Sequence, residues 1–146
     1  MGEWRILAIL VGAGLLASLR PAFAEPLAGP VAARVERIVD GDTVRVRAQI
    51  WIDQEVEIAV RIDGADAPEL FRPRCPAEKA KALEAQAFAG AFFPDGQAVL
   101  RNVHYGKYAG RVIAQLENSA GDDLAEALVE AGLAARNGAR LWCAGS

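Results

Sequence analysis

Two runs of strict alternation, parted by a short polar break, restrict the fold of this chain more than any other feature. Val44, Val46, Ala48, Ile50 and Ile52 alternate with Arg45, Arg47, Gln49, Trp51 and Asp53. Val56, Ile58, Val60 and Ile62 then alternate with Glu57, Ala59, Arg61 and Asp63. A period of two belongs to a strand with one buried face, so the pair reads as a β-hairpin. Directly opposed residues share a face, so even-numbered apolar positions must meet even-numbered ones. That parity predicts an odd connection of three or five residues around Asp53-Gln54 rather than a two-residue turn. Antiparallel pairing also sets the start of the first strand beside the end of the second. Asp42, Asp63, Asp66 and Glu69 should therefore gather at one end, joined by Arg61. Carboxylates at a strand end beside an arginine suit a hard cation near a phosphate.

The flanking segments fit round this hairpin. Val31 to Val39 reads as a first strand, turned into the hairpin by Asp40-Gly41-Asp42. After Glu69 comes a basic loop, Leu70 to Arg74, whose Arg72 and Arg74 are expected in solvent. Cys75-Pro76-Ala77-Glu78 is a helix start, with proline at the first helical position and an acid in the first turn. Leu83, Ala87 and Ala91 recur every four residues, with Phe88 and Phe92 on the adjacent row, which predicts the apolar face. Pro94-Asp95-Gly96 stops that helix. Gln97 to Val103 and Arg111 to Glu117 read as two more strands. Asp122 to Ala131 reads as a second helix, with Leu124, Leu128 and Val129 inward and Gly132 closing it. The order predicts an all-β barrel with helices (α+β). It is a five-stranded OB-fold, with one helix between strands 3 and 4 and the second after strand 5. Fold alone leaves function open.

Residues 1–24 read as a secretory signal peptide. A weakly basic start through Arg5 precedes an apolar run 14 residues long from Ile6 to Leu19, then Pro21 and the small-residue stretch Ala22-Phe23-Ala24. The competing readings are an uncleaved anchor and a buried helix, although the run is short for a bilayer span. Residues 25–30 form a linker and 31–146 the domain. Export would end in the periplasm or outside the cell, with no stable membrane association after cleavage. The mature chain would carry 14 basic and 18 acidic side chains, a formal charge of −4. Such a balance argues against gripping nucleic acid with the whole surface, so any polyanion would be held locally. Cys75 and Cys143 are the only cysteines, and an even count in an exported chain predicts a disulfide. In a cytoplasmic protein they would be free thiols. With His104 as the single histidine they make a poor zinc site. Ala134 to Ser146 reads as an irregular tail pinned by Cys143, with Trp142 packed beside it.

Asp40-Gly41-Asp42-Thr43-Val44, then Arg61, then Asp66-Ala67-Pro68-Glu69, then Lys107-Tyr108-Ala109-Gly110-Arg111, resemble the staphylococcal nuclease (thermonuclease) family. Glu126-Ala127-Leu128-Val129 and Gly132-Leu133-Ala134 resemble that family's second helix. The resemblance runs from about Val35 to Ala134. It implies an OB-type barrel and a monomeric, calcium-dependent nuclease cutting DNA and RNA phosphodiesters. It also implies that Asp42, Asp66 and the Ala67 carbonyl ligate Ca2+, and that Glu69 holds the attacking water as general base. Arg61 and Arg111 would clamp the phosphate, and Lys107 and Tyr108 would bind substrate. The chemistry is consistent, because calcium takes oxygen ligands and a guanidinium fork matches phosphate oxygens. Two departures stand out. Ala109 is an added residue where family members commonly have K-Y-G-R. The tail also lacks their tyrosines and their further helix, leaving Tyr105 or Tyr108 to stack on a base. Each residue has a plainer reading too: Asp40 and Asp42 as turn residues, Asp66 and Glu69 as loop caps, Arg61 and Arg111 as strand residues. The alternative function is a noncatalytic OB-type nucleic-acid-binding module or a calcium-stabilised structural domain.

Overall fold

The computed structural model describes residues 25–136 together with 142 and 143. The signal peptide reading therefore lies outside the described residues, as does most of the tail. Five strands follow the alternation: β1 (Val31–Asp40), β2 (Thr43–Trp51), β3 (Gln54–Ile62), β4 (Gln97–Tyr105) and β5 (Arg111–Glu117). They close into a barrel in the order β1-β2-β3-β5-β4, with β4 returning to β1. All pairs are antiparallel except β3 with β5, which run parallel. The α+β barrel predicted from the element order is thus the observed fold. Its helices are α1 (Pro76–Phe92), between β3 and β4, and α2 (Leu124–Glu130), after β5.

The barrel interior is filled by the even-numbered residues of the hairpin. Val44 faces Val60 and Val46 faces Ile58, and Leu100, Leu116, Leu124 and Leu128 join them fully buried. Each such side chain contributes about 1.5–3 kcal/mol over an exposed one. The parity expectation holds, but the connection is shorter than expected. Trp51 pairs with Gln54, so Ile52 and Asp53 form a two-residue turn, with Asp53 at φ 57°. The register shifts between Gln49 and Trp51. This bulge at Ile50 takes up the odd residue and restores the parity.

Helix α1 starts where its sequence says, with Pro76 at the first position and Cys75 as the cap. Its buried row differs from expectation. Ala82, Ala85 and Ala89 face inward, while Leu83 is half-exposed and Ala87 and Ala91 are exposed. Phe88 and Phe92 are partly buried, as the pattern predicts. Small side chains win the inward row because the helix lies directly on the β1–β2 turn. A Cβ on Gly41 would stand 2.7 Å from the Ala85 Cβ and 2.8 Å from the Ala67 Cβ. The Gln86 side chain then donates to the Val39 carbonyl at 3.0 Å, closing the contact.

Helix α2 is capped by Asp123, which accepts the Glu126 N–H at 2.9 Å. It ends at Gly132, at φ 68°. The linker at 25–30 is more than a spacer, since Leu27 and Val103 exchange backbone hydrogen bonds at 2.8 Å. Cys75 and Cys143 form the predicted disulfide, across 68 residues of sequence. Trp142 beside it is half-buried. A disulfide suits an oxidising compartment. Among the described residues no helix is long and apolar enough to cross a membrane.

Candidate functional site

The β1–β2 turn, the end of β3, the segment after it, the first turn of α1 and the start of β5 enclose a cleft of about 220 Å³. Asp42 is one of its buried acids, 6% exposed. Its carboxylate accepts three hydrogen bonds. Oδ1 takes the Thr43 hydroxyl and the Arg61 guanidinium, each at 3.1 Å. Oδ2 takes the Ala67 N–H at 2.9 Å. Its backbone is fixed as well, because the Asp42 carbonyl accepts the Ile62 N–H at 2.9 Å. Asp40 lines the same cleft. Burial first, then the Asp42 charge beside it, push Asp40 from an ordinary 3.8 up to about 6.

Asp66 is placed by the far end of the described chain. Its backbone N–H and C=O exchange hydrogen bonds with Ala135, both at 2.9 Å, so the segment after α2 holds the acid against the barrel. Arg61 then reaches from β3 to both candidate ligating carboxylates, Asp42 and Asp66. The Ala67 N–H is the donor to Asp42 Oδ2. Asp63 does not join the cluster. It is exposed, its N–H is tied to the Ala114 carbonyl at 2.9 Å, and it lines a different recess with Gly64 and Gln115. The hairpin brings the strand end to the site, but Asp63 sits where β3 leaves the barrel wall.

Arg111 lines the cleft from β5. The loop at 106–110 carries the added Ala109, with Gly110 at φ 84°, and Arg111 still faces the acids. It has no carboxylate partner among the described residues, and the Tyr108 ring covers its guanidinium at 5.1 Å. Tyr108 and Lys107 are exposed beside the cleft rather than lining it. Tyr105 lines a separate recess with Leu27 and His104.

Glu78 is the site residue that sequence reasoning missed. Read as an ordinary first-turn acid, it proves to be 2% exposed and to line the cleft. Arg74 is exposed, as expected, and is also bound to it: the Arg74 N–H donates at 2.6 Å and its Nε at 3.3 Å. The Arg74 amide, ahead of the opposing cost of burial, holds the Glu78 carboxyl below its ordinary range. The available signal was the Cys75-x-x-Glu78 spacing, a variant of the box in which an N3 acid serves the chain before the helix.

Five carboxylates, from Asp40, Asp42, Asp66, Glu69 and Glu78, thus face two guanidiniums, from Arg61 and Arg111. An anion would meet net repulsion there unless a cation were added. The donors are oxygens without histidine or thiolate, which suits a hard cation in kind. Among the described residues, however, no group of three or more His, Cys, Asp or Glu is close enough to hold a metal ion. Arg61 fills the cationic role between Asp42 and Asp66. Compared with protein-family models and with curated proteins, the chain matches none.

Proposed function

We propose that this protein is an exported, calcium-dependent phosphodiesterase that hydrolyses DNA or RNA without strong sequence preference. The observation that carries the reading is the meeting of Asp42, Arg61, Asp66, Glu69 and Arg111 in one cleft. These residues come from four separate elements. At about 220 Å³ the cleft is smaller than the roughly 300–1,000 Å³ of sites that enclose a whole small molecule. It suits one phosphodiester of a longer chain. The order of the DGDT, arginine and DAPE motifs, and their resemblance to the thermonuclease family, support the same reading.

The roles follow from what each side chain can reach. Arg111, without a carboxylate partner among the described residues, would be the guanidinium available to a phosphate, with the Tyr108 ring stacked against it. Asp42 and Asp66, with the Ala67 carbonyl, would hold the calcium ion, and Arg61 would then be freed to join Arg111 on the phosphate. Bound calcium would supply the positive charge that offsets the growing negative charge of the transition state. Glu69, exposed at the rim, would orient a water or take its proton.

A second reading has its own observation. Arg61 already neutralises Asp42 and Asp66, as would suit a noncatalytic OB-type module that binds polyanion through Arg111 and Lys107. Release of acid-soluble nucleotides from single-stranded DNA by the purified, disulfide-intact protein separates the two. The expected result is release that needs calcium, stops with chelator, and falls by about 10²–10⁴-fold, to a measurable residue, in both Glu69→Gln and Arg111→Ala. Release undiminished by both substitutions overturns the proposal. So does a folded wild type that releases nothing yet binds DNA with a salt-dependent affinity, the signature of the binding module.

A further inference from the structure

Glu78 is buried more completely than a first-turn acid requires, since the helix dipole favours such a residue even in solvent. A carboxylate taken out of water must find donors to replace its hydration. Those donors come from one short segment. Oε1 accepts the Glu69 N–H at 3.4 Å, and Oε2 accepts both the N–H and the Nε of Arg74. Residues 69–74 have no helix or strand of their own. Before them, Pro68 is fully buried. After them, Cys75 accepts the Glu78 N–H on Sγ at 3.4 Å and is bonded to Cys143. Glu69 opens this segment, and its own Oε1 accepts the Phe71 N–H at 3.3 Å. The direction of the Glu69 carboxylate therefore depends on the path of the loop.

We propose that Glu78 is a positioning residue: its buried carboxylate ties both ends of the 69–74 segment to α1 and so sets where the Glu69 carboxylate faces in the cleft. What Glu69 then does rests on the phosphodiesterase reading; the clamp does not. A small displacement of a general base costs rate far more than binding, and Glu78 itself need not touch the substrate.

The test compares Glu78→Ala and the milder Glu78→Gln, each alone and combined with Glu69→Gln. In the wild-type background, Glu78→Ala should lower kcat about 10–100-fold and leave KM within about twofold. With Glu69→Gln already present, the same substitution should change kcat by less than about twofold, because the group being positioned is gone. Amide hydrogen exchange supplies a readout independent of activity. Protection at Glu69 and Arg74 should be lost in Glu78→Ala, while Ala85 and Ala89 within α1 keep theirs. Multiplicative losses in the double variant, a rise in KM at constant kcat, or unchanged protection at Glu69 and Arg74 would each overturn the proposal. If Glu78→Ala does not fold, Glu78→Gln keeps the volume and one acceptor oxygen and carries the same measurements. An inactive wild type would sink the phosphodiesterase reading alone, and exchange at Glu69 and Arg74 would still decide the clamp.

Discussion

The two ends of the β2–β3 hairpin share one sequence pattern and have opposite surroundings. At the cleft end Thr43 pairs with Arg61, with β1, β5 and α1 close by. At the far end Trp51 pairs with Gln54, and Trp51 is 73% and Ile52 75% exposed. Pairing explains the contrast. β1 leaves β2 after Ala48, which pairs with Val56 of β3, and β5 meets β3 only from Ala59 onward, so residues 49–55 protrude as a two-stranded ribbon. A two-stranded ribbon has no core to bury its apolar face. Alternation specifies which side of a strand can be buried. Whether it is buried depends on the neighbours that the rest of the chain supplies.

The largest expected effect on this contrast comes from the disulfide, which anchors the cleft end through the cap of α1. Cys143→Ser leaves Cys75 as the cap and removes the cross-link alone. Urea unfolding should show a loss of about 4 kcal/mol for a loop of this length in the chain-entropy model, and the ribbon should be untouched. Next comes Asp42→Ala, which takes the acceptor from Thr43, Arg61 and Ala67 together. It should cost roughly 3 kcal/mol in the same assay. It should also abolish calcium affinity if the acid ligates the ion; affinity that survives intact would remove Asp42 from the site.

A smaller effect separates the acids by pH. Asp40, raised to about 6, binds its proton more tightly folded than unfolded. Its contribution to stability is full below about pH 4 and is lost as pH rises through about 6. Glu78, held low, acts the other way: its contribution is present above its ordinary value and lost as pH falls through its folded one. In chelator, Asp40→Asn should therefore remove a decline of about 2 kcal/mol between pH 4 and 7 in a series of thermal melts. A melt series that declines equally in the variant would assign that titration elsewhere. The smallest effect belongs to the ribbon. Trp51→Ser should change unfolding free energy by less than about 0.5 kcal/mol, and a loss above about 1 kcal/mol would mean that the tip has a packing partner and the comparison fails.

Particular residues show how far the sequence could be read. Pro76 and the capping Cys75 marked the start of α1 correctly, because caps and proline act within one turn. The inward row of the same helix differs from its pattern, Leu83 outward and Ala85 inward, because the approach of Gly41 to Ala85 is a contact across 44 residues of sequence. Ile50 looked like any strand residue, since a bulge leaves the alternation of its neighbours intact. Asp42, Asp66, Glu69 and both arginines were legible as motifs, whereas Glu78 was hidden in an ordinary first turn.

Strand spans, helix starts, the parity of the hairpin, the cysteine pair and the main acids of the cleft were determined by the sequence by itself. Those features follow from periodicity, local backbone preference and residue chemistry, all of which act along the chain. Only the tertiary structure decided which helix face is buried, which end of the hairpin is covered, that Asp63 stands outside the cleft, and that Glu78 holds the Glu69 loop. Each of those depends on how closely two distant segments approach, and the pattern of either segment alone does not contain that distance.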